Sequence, residues 1–280
     1  MFQRRSVAAF FVAGGIAWAA AYDDFSNGQN ALHRGDPGAA IAAFSRALGA
    51  GDLAAGYLPA AYFGRARAYL QKEQCQPALA DVNEALKLRG NDAESYVLRA
   101  ETEICLNQQE AAFADFEQAL RLRPSEHVYE QYAFQQWAAG LFAAAAGNFE
   151  AAVNASSESN PHLPYLILWY ALAADRAGAL DRKALAAHAR KIDSDDWPGP
   201  LVELYLGKLT AERAESAAAD RNTQIDAQHK CEAYFYLAEW QLAAGDRDGA
   251  KARLDQAVAT CPHDFLEYSA SMLEQKRQAK

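Results

Sequence analysis

The side chains best placed for chemistry are four cysteines that fall into two pairs of equal spacing, Cys75 with Cys105 and Cys231 with Cys261, each 30 residues apart. In an oxidising compartment such cysteines form a disulfide framework, whereas in a reducing one they pack as small hydrophobes. The six histidines, His33, His127, His162, His188, His229 and His263, stand singly, and no two are four residues apart on a helix. A metal site needs three or four converging groups, so surface histidine is the expectation. Asp193-Ser194-Asp195-Asp196 looks like the start of a calcium loop, but Pro198 stands where the sixth residue must be glycine, and no glutamate occupies the twelfth place. The chain has no Gly-x-Ser-x-Gly elbow, His-Glu-x-x-His, glycine-rich phosphate loop or Cys-x-x-Cys. Neither a cofactor, nor a metal, nor an enzymatic activity is expected.

The elements that carry these residues are helical. Of 280 residues, 51% are apolar, while threonine occurs four times, isoleucine six and valine eight, which leaves little of what strands prefer. Aligning RARAYLQKEQCQPALADVNEALKL (65–88) with LRAETEICLNQQEAAFADFEQALRL (98–122) gives a register of 34 residues. Tyr62 falls on Tyr96, Ala66 on Ala100, Ala78 on Ala112, Val82 on Phe116 and Ala85 on Ala119, with Pro124 closing the second copy. Gly28, Ala40, Phe44 and Ala47 repeat the pattern upstream, before a connector about four residues longer (49–57); Ala133, Ala145, Phe149 and Ala152 repeat it downstream. Ala238, Ala250, Leu254, Ala257 and Pro262 repeat it near the end. Small residues where two helices cross, flanked by larger apolar ones, are the signature of a helix hairpin. The pattern resembles the tetratricopeptide repeat and implies an all-α solenoid of stacked hairpins.

The expected organisation is a signal peptide at 1–21, a four-copy array at 22–162, degenerate repeat-like helices at 163–229 broken by Pro198 and Pro200, and a final hairpin with a capping helix at 230–280. Cys231 is expected to open the first helix of the last copy and Cys261 to end its second. Cys75 begins the second helix of one copy, and Cys105 lies near the end of the first helix of the next. Antiparallel packing brings both pairs of ends together, so the pairing 75–105 and 231–261 is expected.

In such repeats the fifth, ninth and twelfth residues of the first helix face a concave groove. These are Phe25, Gln29 and Leu32, then Phe63, Arg67 and Leu70, then Val97, Glu101 and Ile104, then Glu130, Phe134 and Trp137. Families that grip a terminal carboxylate place Lys, Asn and Arg there, and this chain places Phe at the fifth position of its first two copies. Phe25, Phe63, Phe134 and Trp137, with Arg67 and Glu101 as polar fixtures, therefore describe an apolar groove for a protein segment. The same aromatic spacing equally fits packing against the neighbouring hairpin.

The first 21 residues, MFQRRSVAAFFVAGGIAWAAA, have two arginines, an apolar stretch of about 15 residues and small residues spaced for cleavage after Ala19 or Ala21. Loss of Arg4 and Arg5 takes the formal charge from −9 to −11. No cysteine precedes Cys75 to accept a lipid, so the expectation is a periplasmic protein without a stable membrane anchor after cleavage. An acidic pI near 5.2 and the lack of a basic block argue against nucleic acid as a partner. The segments LILWYALAADR, WPGPLVELYLGKL and YFYLAEWQLAAGDRDGAKARLDQAVATCPHDFLEY, over roughly 163–275, resemble the carboxyl half of the NlpI family of cell-envelope tetratricopeptide proteins. That resemblance implies an adaptor for envelope proteases and peptidoglycan hydrolases, although the lipoprotein cysteine of NlpI is missing. The alternative is a structural subunit of an envelope assembly, whose groove is filled by its own neighbour; a homodimer is compatible with either.

Overall fold

The structure, a computed structural model, describes the backbone of residues 9–279 and the side chains of 20–279. Part of the expected signal segment, residues 1–8, lies outside the described residues, and its remainder forms the first turns of α1 (Ala9–His33). Among the described residues no helix is long and apolar enough to cross a membrane. There are fifteen helices and no strand among them.

The chain divides into two compact units, Met1–Pro124 and Ser125–Lys280. The first holds three helix hairpins: α1 with α2 (Pro37–Gly49), α3 (Leu58–Gln71) with α4 (Cys75–Leu88), and α5 (Ala93–Cys105) with α6 (Gln109–Leu122). The second opens with α7 (Glu126–Ala138) and α8 (Phe142–Ala155), then α9 (Leu163–Arg176). Three short helices follow, α10 (Arg182–Ala189), α11 (Gly199–Tyr205) and α12 (Ala211–Ser216); the unit closes with α13 (Thr223–Ala243), α14 (Arg247–Thr260) and α15 (Leu266–Gln278).

The small residues that mark the repeat sit at the helix crossings. Ala40, Ala66, Ala78, Ala100, Ala112, Ala119, Ala133, Ala145, Ala152, Ala238, Ala250 and Ala257 are fully buried, and so are the large partners Phe44, Val82, Phe116, Phe149 and Leu254. Phe44 shows why the small residues are needed: a Cβ on Gly28 would come within 2.7 Å of its ring, and one on Gly64 within 2.5 Å. Starts are fixed by side-chain caps, with Asp36, Asp92, Ser125, Asp181, Thr210, Asn222 and Asp246 each accepting from a first-turn N–H. The turns between paired helices need a left-handed residue, supplied by Gly35, Gly140 and Gly245 and, without glycine, by Glu73 and Asn107.

Two features of the repeat are electrostatic. Arg65 grips Asp81 with two hydrogen bonds of 2.6 and 2.8 Å, and Arg99 grips Asp115 in the same register at 2.5 and 2.7 Å. Each forked pair ties the first helix of a hairpin to the second, and the third guanidinium nitrogen reaches the preceding helix, at Ser45 Oγ and Asn83 Oδ1 respectively.

The degenerate stretch has an extra short helix, α10, and Pro198 and Pro200 stand at the start of α11 rather than inside a longer helix. Cys231 does not open the last first-helix: Asn222 caps α13 nine residues earlier, and nothing in TQIDAQHK breaks the helix before Cys231. The core of the second unit centres on Trp169, whose ring meets Phe134 at 4.8 Å, Trp137 at 5.1 Å, Phe149 at 5.6 Å and Phe235 at 5.5 Å between centroids.

Candidate functional site

Cys75 is bonded to Cys105 and Cys231 to Cys261, with Cα atoms 6.1 and 4.8 Å apart. The first bond joins the start of α4 to the end of α5 and so staples one hairpin to the next. The second closes the α13–α14 hairpin at its open end. Among the described residues, no group of His, Cys, Asp or Glu is arranged to hold a metal ion.

The residues expected in the groove have different surroundings. Phe25 is 4% exposed, with its ring among Phe44 and Tyr57, and Trp137 is 3% exposed beside Trp169 and Phe235. Both are therefore core side chains rather than open anchors. In the first unit Phe63 is half-buried and lines a shallow cleft of about 150 Å³ with Pro59, Ala60, Arg89, Asp92, Glu94 and Ser95. Arg67, one turn beyond Phe63, is exposed, and Glu101 is half-buried on α5.

Phe134 behaves differently, because it faces an opening. A cleft of about 370 Å³ in the second unit is lined by residues of α7 (Glu130, Phe134), α9 (Tyr165, Leu166, Trp169) and α13 (Glu232), by His162, and by the start of α15 (Phe265, Leu266, Glu267). Helices α7 and α13 are the first members of the hairpins they form with α8 and α14, and α9 packs against α8 and α13. The walls of the cleft are aromatic, and its polar groups are three carboxyls, the Tyr165 hydroxyl and His162. Glu232, 8% exposed, accepts through Oε2 from the Tyr165 hydroxyl at 2.9 Å and the Trp197 indole at 2.6 Å. Glu267, 7% exposed, accepts from the Tyr236 hydroxyl at 3.3 Å.

Burial raises all three cleft carboxyls above the usual range. Glu267 is pushed up to about 7 by burial and by the charge of Glu232. Glu232 is raised by burial against the opposing hydrogen bonds from Trp197 and Tyr165, and Glu130 by burial against the opposing charge of His127. Burial and Glu232 also push the Tyr165 hydroxyl upward, so it stays a donor at every ordinary pH.

Helix α15 borders this cleft with a polar inner face. Glu267, Ser271 and Glu274, at helical spacing, are buried. Glu274 and Glu239 are both held by Arg176, at 3.1 and 2.6 Å. Arg277, also paired with Glu274, donates to the carbonyls of Trp137 and Ala138 at 2.7 Å and lies over the Trp137 ring. The last helix is thereby clamped to α7, α9 and α13. Burial pushes Glu239 up to about 7, while Arg176, Gln278 and Arg277 hold Glu274 below the usual carboxylate range in spite of its burial.

Known proteins show the same architecture. The tetratricopeptide repeat family model matches residues 93–126, which span α5 and α6. Among solved structures, the chain is similar to the apo form of RapI, with 15% identity over 86% of this chain and 74% of that one and a TM-score of 0.60. It is similar to a tetratricopeptide repeat protein from Parabacteroides merdae, with 14% identity over 92% of this chain and 99% of that one and a TM-score of 0.58. It is also similar to the C-terminal part of a repeat-containing protein from Cytophaga hutchinsonii, with 15% identity over 89% and 99% and a TM-score of 0.56. At these identities the likeness shows the fold: an all-helical, tetratricopeptide-type solenoid of helix hairpins.

Proposed function

We propose that this protein is a non-catalytic adaptor, exported to the periplasm, that holds a segment of a partner protein against the first helices of its hairpins. The observation that carries the reading is the open cleft on α7, α9 and α13, walled by Phe134, Tyr165 and Phe265 on a rigid aromatic core. Tetratricopeptide hairpins offer such faces to peptides, and half-buried aromatic rings are the side chains that anchor them. Export is supported by the leader-like N-terminal sequence together with two disulfide bonds, which persist in oxidising compartments. The resemblance of residues 163–275 to the NlpI family makes envelope proteases and peptidoglycan hydrolases the partner classes to test first. Of the expected groove residues, Phe134 in the second unit and Phe63 with Arg67 in the first are the ones open to a partner, and Glu101 is half-buried on α5.

The test is a photocrosslinking amino acid placed at Phe134, at Phe63 and, as a control, at the exposed Lys251, with cross-linking carried out in cells. Adducts of defined mass at 134 or 63 and none at 251 support the adaptor. Self-adducts alone, in one large homogeneous assembly, would replace it with the structural subunit, and no adduct at 134 or 63 would overturn both.

A further inference from the structure

We propose that the cleft of the second unit is a receptor for a long basic side chain, a lysine or arginine of the partner segment. This deepens the adaptor reading and rests on it. Three carboxylates line the cleft, Glu130, Glu232 and Glu267, and among the residues that line it His162 is the one able to carry positive charge. Glu232 is more than nine-tenths buried, accepts through Oε2 from Tyr165 and Trp197, and lines the cleft. Glu130 is half-buried, and the positive charges acting on it are His127 and His162. Carboxylates drawn together and partly desolvated are costly to ionise, and a donor arriving with positive charge offsets that cost most fully.

The walls say what the cation is attached to. Phe134, Leu166, Trp169 and Phe265 give the cleft an apolar lining beside the carboxylate residues, and Leu266, also in its wall, is 44% exposed. An aliphatic stem of several methylenes ending in an ammonium or guanidinium satisfies lining and carboxylates at once, with the charge also lying against aromatic faces. A bare divalent ion does not fit, because it needs several converging oxygens and no such arrangement occurs among the described residues. An anionic or purely apolar side chain would leave the carboxylates unpaired. The arrangement is the electrostatic inverse of a groove that grips a terminal carboxylate.

Protonation of the cleft opposes binding. The titratable groups in it are Glu130, on which Glu126 and His127 of the same helix also act; His162 just before α9 and Tyr165 from α9; Glu232 from α13; and Glu267 from α15. A lysine or arginine ligand keeps its charge up to about pH 10, so occupancy rises with pH as Glu267, pushed up to about 7, and the raised carboxyls of Glu130 and Glu232 ionise.

The full chain is titrated with amide-capped lysine, amide-capped arginine and the uncharged isostere, amide-capped norleucine, while the indole N–H signals of Trp197 and Trp169 are followed by NMR. Trp197 reports directly, since it donates to Glu232. Saturable shifts with lysine or arginine, about tenfold weaker or undetectable with norleucine, are expected. Glu130→Gln weakens binding several-fold without moving the signals of the free protein, and Glu232→Gln abolishes it. Because Glu232→Gln also disturbs Tyr165 and Trp197, the Glu130 variant decides if that protein misfolds. Equal shifts with norleucine, or no saturable shift with either basic probe, overturn the proposal. A partner still cross-linked at Phe134 in that event leaves the adaptor reading standing, whereas loss of both removes it.

Discussion

Replacing Arg176 by methionine isolates the polar network that fixes the last helix. The guanidinium is 11% exposed, and the carboxylates it joins, Glu239 and Glu274, are wholly buried. Glu274 keeps Arg277 and Gln278 in the variant, but Glu239 loses its hydrogen-bond donor, and its Oε1 already lacks one. Breaking a buried pair in this way costs about 3 to 5 kcal/mol while the orphaned carboxylate stays charged. Glu239 has an escape, since its folded-state pKa is already about 7, and removing Arg176 deletes the main force holding it down. At pH 6 the group is neutral in both proteins, so the loss falls to that of its hydrogen bonds, about 1 to 3 kcal/mol. Above pH 7 wild-type Glu239 is ionised and the variant's is not, so the penalty grows with pH by at most about 1.4 kcal/mol per unit, until the variant's own pKa is passed. Urea unfolding at pH 6 and pH 8 measures this. Tryptophan fluorescence reports the second unit, because Trp137, Trp169, Trp197 and Trp240 all lie there and Trp18 lies within the expected leader. Adding Glu239→Leu should restore most of the loss at pH 8. Equal losses at the two pH values, or less than about 1 kcal/mol at both, would refute the assignment of Glu239 as the carboxylate that Arg176 holds ionised.

Two further outcomes follow from the packing. Non-reducing peptide mapping of exported protein should recover the 75–105 and 231–261 pairs, and each bond closes a loop of about 30 residues worth roughly 3 to 4 kcal/mol by loop entropy; free thiols at all four positions would remove both the stapling and the support for export. Gly64→Ala should destabilise the first unit by about 1 to 3 kcal/mol, because its methyl would fall 2.5 Å from the Phe44 ring between two packed helices, while Gly147→Ala, with open space around it, should leave stability unchanged or slightly higher. Equal thermal stability of the two variants would show that the ring yields.

The fold was legible wherever a short-range rule governs it. A register of 34 residues located the buried alanines and the large side chains between them, because steric demands at a helix crossing recur with the hairpin. The same register also contains the Arg65–Asp81 and Arg99–Asp115 pairs, which an alignment restricted to apolar positions passes over. What could not be read is long-range. Glu274 looks like a surface residue of a polar terminal helix, and only its meeting with Arg176, 98 residues away in sequence, makes it a core residue. The acidic cleft was hidden for the same reason, since its three glutamates come from α7, α13 and α15 and share no local spacing.

The groove residues show where periodicity stops being informative. Helical spacing gives the direction in which a side chain leaves its helix, and it gives that direction equally well for Phe134 and Trp137. It does not say what arrives from elsewhere to cover the face. Trp137 is covered by the chain itself, with Arg277 of α15 over its ring and bonded to its carbonyl. Phe134, one turn earlier, stands beside the start of the same helix, where Phe265 and Leu266 leave an opening instead of a lid. One terminal helix therefore both closes one end of the aromatic face and shapes the mouth of the cleft at the other. The Arg176 and Arg277 clamp that holds α15 is thus a condition for the cleft, and a variant that loosens it should weaken capture of a basic side chain even though neither arginine lines the site.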